Sequence, residues 1–117
     1  MKFFVDYDFP NWNDYINAER SNKFMAAKMK KNEHEILKYL LPNTKYEGEY
    51  PTEIIFTWHF KDKRKDLDGM RVKSLLDAIV KGEILKNDNL NCIQKIVYNS
   101  IIDGTTGVEV EIKELKK

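Results

Sequence analysis

The sequence predicts an α+β domain in which two helices pack on a mixed four-stranded sheet. Apolar and polar residues alternate in four short segments, as is typical of half-buried strands, and two longer segments carry apolar residues at helical spacing. Along the chain the order is strand, helix, strand, helix, strand, strand, without an internal repeat. A sheet covered by two helices buries both kinds of pattern in one core.

The first half of the chain is predicted to hold two strands separated by a long helix. Apolar residues recur with period two over residues 2–9, directly before Pro10, which indicates the first strand. Asn13 can cap a helix over residues 14–41, which would be about 40 Å long and would either bend or project beyond the core. Alternation over residues 54–60 predicts the second strand.

The second half is predicted to hold a helix followed by two strands. The helix begins at Asp68, a possible N-cap, and Gly82 lies just past its end, where a left-handed residue would stop it. Residues 92–99 and 108–113 are the last two predicted strands. The glycine-containing turn at 103–107 separates them, which favours an antiparallel pair.

Composition predicts one cytoplasmic domain over residues 1–117. Apolar residues make up 42% of the chain, which is enough for a single hydrophobic core. Cys92 is the one cysteine, so an internal disulfide cannot form and a reducing compartment fits best. We expect neither a signal peptide nor a membrane span. The net charge of +1 by itself argues neither for nor against nucleic acid.

Acidic residues in the middle of the chain suggest a metal site. Asp66 and Asp68 flank Leu67, and an extended backbone points both carboxylates to one side. Hard cations such as Mg²⁺ or Mn²⁺ prefer such oxygen ligands, and Asp88, in the loop after the second helix, is a natural third ligand. Asp66 and Asp68 could instead only cap the helix and complement its dipole.

Basic residues near this acidic pair are candidates for contacts with phosphate. Lys73 lies five residues into the helix that Asp68 begins, less than half a turn around the axis from the cap, so its ammonium could reach back toward the site. A short basic run lies directly before Asp66, although such a run is more often a solvated turn. For Asp77, a buried structural acid or a dimer contact is as plausible as a metal role, and we leave it outside the ligand set. We interpret His59 as structural, although it could reach a phosphate if its face borders the site.

These residues resemble the motif of the RusA-type Holliday-junction resolvases. The resemblance rests on Asp66-Leu67-Asp68, on Lys73, on the apolar segment around Asp77, and on Asn87-Asp88; residues 13–28 resemble the N-terminal segment of phage and prophage members. It implies a homodimeric endonuclease, dependent on Mg²⁺ or Mn²⁺, that cuts four-way DNA junctions with paired symmetric nicks in recombination and repair.

The resemblance also assigns roles to individual residues. Asp66, Asp68 and Asp88 would bind the metal, and Lys73 would be the catalytic lysine. In such a dimer the basic residues that contact the DNA backbone would be Lys61, Lys63, Arg64, Lys65 and Arg71, with Arg20 and Lys28 as secondary candidates.

The sequence departs from the family pattern at three points. Gly69 replaces the usual Asn after the second aspartate, Asn87 replaces the first acid of the acidic pair, and the spacing from Asp68 to Lys73 is one residue longer. Two other hypotheses therefore stay open. One is a non-catalytic DNA-binding phage accessory protein on the same scaffold, and the other is an interaction protein whose carboxylates only cap a helix.

Overall fold

The computed structural model describes residues 1–9, 20, 23–62 and 69–116, and it confirms the predicted α+β class and element order. The strands are β1 (Lys2–Val5), β2 (Thr52–Phe60), β3 (Ile93–Ile102) and β4 (Gly107–Glu114). The helices are α1 (Lys23–Leu40) and α2 (Gly69–Lys81), and Arg20 is helical as well. All four strands belong to one mixed sheet.

The order of strands in the sheet is β1-β4-β2-β3. β3 is parallel to β2, whereas β4 is antiparallel to both of its neighbours. The predicted antiparallel pair of β3 and β4 is therefore wrong, because these strands lie on opposite sides of β2. α2 returns the chain to the beginning of β2, so β3 becomes its parallel neighbour. Residues 103–106 then cross the carboxyl end of β2 before β4 begins.

One face of the sheet forms the hydrophobic core. Every second residue of β2 from Thr52 to Trp58 is buried, as the period of a strand with one covered face requires. Three of their partners in β4 are also fully buried: Val108, Val110 and Ile112. Both helices cover this face, to which α1 contributes Leu37 and α2 contributes Leu75, Ala78 and Ile79.

The carboxyl end of α2 is closed by a left-handed residue, but that residue is not Gly82. The N–H of Ile84 donates to the carbonyl of Ile79 at 3.0 Å, and the N–H of Glu83 donates to that of Val80 at 3.0 Å. This pattern is a Schellman motif, in which the residue after the C-cap takes positive φ. Glu83 has a φ of 62°, so the prediction for Gly82 was shifted by one residue.

The first predicted strand is shorter in the structure. β1 ends at Val5 instead of continuing to residue 9. Phe9 is nevertheless buried, because its ring packs edge-on against Trp58 at a centroid distance of 5.2 Å. Period-two alternation therefore identified buried side chains beyond the end of the strand. Of the helix predicted over 14–41, residues 14–19, 21 and 22 lie outside the described residues.

α1 contacts α2 through a polar pair as well as through the core. Glu33 is only 6% exposed, and it accepts a hydrogen bond from the hydroxyl of Ser74 on α2. Burial raises the pKa of the Glu33 carboxyl, and the hydrogen bond from Ser74 opposes that shift. In the described ranges, neither helix combines the length and the apolar composition needed to span a membrane.

Candidate active site

The predicted acidic pair lies between β2 and α2. β2 ends at Phe60 and α2 begins at Gly69, the residue after Asp68. The described residues resume only at Gly69, so several predicted site residues lie outside them: Lys63, Arg64, Lys65, Asp66 and Asp68. Arg71 belongs to α2, but its side chain is also outside the described part. The structure describes β2 and α2, and they define where the segment between them starts and ends.

The carboxyl end of β2 is held by the turn between β3 and β4. The N–H of Asp103 donates to the carbonyl of Phe60 at 3.2 Å, and Nδ1 of His59 lies 2.7 Å from Oδ2 of Asp103. Thr105 donates its N–H and its hydroxyl to Oδ1 of Asp103. The hydrogen bonds from Thr105 and then from His59 lower the pKa of Asp103 from 3.8 to about 2. These contacts support the structural role predicted for His59.

Lys73 is exposed at the start of the second turn of α2. The buried residues Leu75 and Ile79 fix the rotation of the helix about its axis. Asp77, one turn after Lys73, is half-buried. Among the described residues no ion pair involves Lys73, and its side chain reaches solvent.

Asp88 is exposed in the loop that follows α2. Its N–H donates to Oδ1 of Asn87 at 2.7 Å. The carbonyl of the next residue, Asn89, accepts the N–H groups of Cys92 and Ile93, and the carbonyl of Cys92 accepts the N–H of Thr52. These hydrogen bonds attach the loop to the end of the sheet where β2 and β3 begin.

Lys73 and Asp88 therefore lie toward opposite ends of α2. From Gly69 to Lys81 the helix advances about 18 Å along its axis at 1.5 Å per residue. The loop with Asp88 continues from the far end of that helix. In the ranges that the structure describes, no three acidic, histidine or cysteine side chains gather where a metal ion could be held.

A cleft with basic residues lies near the loop that carries Asp88. It has a volume of about 500 Å³ and lies between the end of α2 and the segment before β2. Three lysines line it, Lys45, Lys81 and Lys86, and the ammonium of Lys86 lies 5.2 Å from the ring centroid of Tyr50. Sequence reasoning missed this group because its lysines come from three separate segments, none of which is a basic run.

The other predicted DNA contacts are spread over the surface. Lys61 is exposed directly after β2, at the opposite end of the sheet from Asp88. Arg20, which is helical, is exposed, and so is Lys28 on α1. The described basic residues therefore form several groups.

Comparisons with known proteins identify the family. No curated protein matches the chain. The model of the family described as endodeoxyribonuclease RusA matches residues 2–113 of the 117 residues. This range contains both described helices and all four strands, except for Glu114, the last residue of β4. Because the match covers almost the whole chain, this protein belongs to the RusA endodeoxyribonuclease family.

Proposed function

We propose that the protein is a Holliday-junction resolvase, a metal-dependent endodeoxyribonuclease that makes paired symmetric nicks in four-way DNA junctions. The family match over residues 2–113 carries this proposal. A four-way junction is two-fold symmetric and needs two cuts, so a homodimer with one site per copy has the matching symmetry. We therefore propose the homodimer as the active form.

The proposed metal ligands are Asp66, Asp68 and Asp88, with Mg²⁺ or Mn²⁺ as the cation. Their carboxylate oxygens have the chemistry that such hard cations prefer. When bound, the cation supplies an activated water nucleophile and neutralises charge on the phosphodiester. However, Asp68 is covalently next to Gly69, whereas Asp88 follows the far end of α2. A shared site would therefore have to bring together ligands that the sequence places before and after α2.

Lys73 is the proposed catalytic lysine. Its exposed ammonium extends from the second turn of α2, four residues from the helix start at Gly69. A fixed positive charge at this position would stabilise the negative charge that develops on a phosphate under attack.

Basic residues from several segments of the chain are the proposed contacts to the DNA backbone. The set predicted from sequence is Lys61, Lys63, Arg64, Lys65, Arg71, Arg20 and Lys28. We add the three lysines of the cleft near Asp88, because a junction arm that reaches Asp88 would pass along them. Contacts of this kind position the duplex and make its binding sensitive to salt.

The decisive experiment is cleavage of a labelled four-way junction. In Mg²⁺ we expect nicks at symmetry-related positions in two opposite strands, and chelation should abolish them. Asp68→Asn and Asp88→Asn should each lower the rate at least about 100-fold, since loss of a ligand costs no less than loss of its supporting group. Asp6→Asn, an exposed aspartate after β1, is the matched control and should keep full activity.

Two outcomes would contradict the proposal. Full activity in Asp88→Asn would remove Asp88 from the site. Junction binding that survives chelation without any nicking by the wild type would instead favour the non-catalytic DNA-binding protein, for which Gly69 and Asn87 are the motivating departures.

A further inference from the structure

A groove lies between the carboxyl-terminal parts of α1 and α2. Glu33 of α1 meets Ser74 of α2, and residues farther along both helices line one cavity of about 260 Å³. The two helices therefore run in the same direction, so that their last turns lie side by side. We call this cavity the helix groove, and the residues that line it are His34, Lys38, Leu41, Ala78, Lys81 and Gly82.

The floor of the helix groove is apolar. Ala78 is only 6% exposed, Leu41 is half-buried, and both pack against the hydrophobic core. On the α2 side, the floor has only the methyl group of Ala78 and the backbone of Gly82, which leaves room for a further side chain. Since an apolar cavity of about 150 Å³ already holds benzene, the helix groove has room for one aromatic side chain.

The rim of the helix groove is basic. Lys38 in the last turn of α1 and Lys81 in the last turn of α2 are exposed, and His34, one turn before Lys38, is half-buried. None of the six lining residues is acidic. Each helix therefore contributes one ammonium group beside an apolar hollow. A complementary ligand combines an apolar side chain with negative charge on both sides of it.

We infer that the helix groove binds an acidic segment of a partner protein. One aromatic side chain of that segment fills the apolar floor, and carboxylates before and after it contact Lys38 and Lys81. Burial of the aromatic ring provides most of the affinity, whereas the exposed ion pairs select for acidic segments and make the binding sensitive to salt. Because the segment binds without DNA, this inference does not depend on the proposed nuclease activity.

Charge and shape favour a peptide over nucleic acid in the helix groove. A DNA duplex presents sugars and phosphates on its outside, and its bases stay stacked inside. Phosphates could contact Lys38 and Lys81, but they have no apolar group that could fill the floor formed by Leu41 and Ala78. An acidic peptide supplies both the carboxylates for the rim and the apolar side chain for the floor.

Binding is tested by fluorescence anisotropy with a short fluorescein-labelled peptide that has one phenylalanine between two pairs of aspartates. The anisotropy should rise with the concentration of the full-length protein and reach saturation. A peptide with alanine in place of the phenylalanine should bind at least about tenfold more weakly, because the floor is then left unfilled. A peptide with asparagines in place of the aspartates should also bind more weakly. Absence of saturable binding, or equal binding of all three peptides, would overturn the inference.

The matched variants are Lys38→Glu and Lys31→Glu. Both residues are exposed on α1 and both changes alter the net charge equally, but Lys31 lies about 10 Å before Lys38 along the helix axis and does not line the groove. Lys38→Glu should weaken peptide binding at least about tenfold, and Lys31→Glu less than about twofold. Circular dichroism should show that both variants are folded. Equal weakening by the two variants would overturn the inference.

The location of the bound peptide is tested on the wild-type protein by NMR, which needs no substitution. When the unlabelled phenylalanine peptide is added, the largest changes in backbone amide chemical shifts should occur at the six residues of the helix groove. Largest changes elsewhere would overturn the assignment. DNA is the alternative occupant: if Lys38→Glu lowers the affinity for a DNA duplex as strongly as for the peptide, the groove is a DNA contact and the inference is overturned.

Discussion

Asp103 is the residue that ties the turn after β3 to the end of β2. Its pKa is lowered from 3.8 to about 2, chiefly by the hydrogen bonds from Thr105 and then by that from His59. A carboxyl group whose pKa is lowered in the folded state contributes to stability at pH values above its ordinary pKa. This contribution disappears as the pH falls toward 2. The carboxylate thus contributes to stability throughout the neutral range.

Replacement of Asp103 should remove this pH dependence. Between pH 4 and 2 the unfolding free energy should fall less steeply in Asp103→Asn than in the wild type, as measured by urea denaturation. Thr105→Ala should move the pKa of Asp103 back toward 3.8, which the carboxyl chemical shift in an NMR titration reports. An unchanged titration in Thr105→Ala would show that Thr105 does not hold the carboxylate.

The pKa of Glu33 is shifted in the opposite direction from that of Asp103. Burial raises its pKa above 4.5, so its contribution to stability is greatest below that pH and disappears as the pH rises through the folded-state pKa. Glu33→Gln should therefore increase the unfolding free energy at pH 7 relative to the wild type, with little change at pH 4. Glu35→Gln, an exposed neighbour on α1, is the control and should show no such pH difference.

At the scale of elements, the backbone is strained at one residue just after the end of α2. Glu83 has a φ of 62°, a conformation that a residue with a Cβ adopts at a cost and glycine adopts freely. Its ion pair with Lys45 is exposed at 3.8 Å and contributes little. Glu83→Gly should stabilise the protein by about 0.5 to 1 kcal/mol in thermal or urea unfolding. Gly82→Ala is the comparison: φ is not positive there, and an added Cβ would lie only 3.1 Å from the carbonyl oxygen of Ala78, so this change should not stabilise the protein.

Element identity was predictable from sequence, whereas strand neighbours were not. Alternation of Val108, Val110 and Ile112 reports a buried face, which is a local property. The position of β4 beside β2 depends on where α2 returns the chain, and no local pattern encodes that. Similarly, Phe9 alternates because it packs on Trp58 and not because it belongs to β1. The helical position of Lys73 follows from spacing, but the cleft lysines near Asp88 come together only in three dimensions.

At the scale of the whole molecule, binding of DNA depends on where the charges lie, because the net charge is only +1. Lys86→Ala should lower the affinity for the junction. The slope of log affinity against log salt concentration should also become less steep, by about 1 for each phosphate that is no longer neutralised. Lys2→Ala is the control, because the ammonium of Lys2 lies 3.3 Å from Glu109 and 3.6 Å from Glu111 on the sheet surface. Equal slopes for both variants would exclude the cleft from the DNA interface.

The pairing of β1 with β4 has a consequence for how the chain acquires its structure during synthesis. The amino group of Met1 donates to the carbonyl of Ile112, 111 residues later, and in the described part of the sheet β1 pairs with β4 alone. On the ribosome, β1 therefore stays without its partner strand until β4 has left the exit tunnel. Contacts this distant in sequence form slowly. During that wait the newly made chain exposes strand edges, so this is the stage at which chaperones would matter most for its yield.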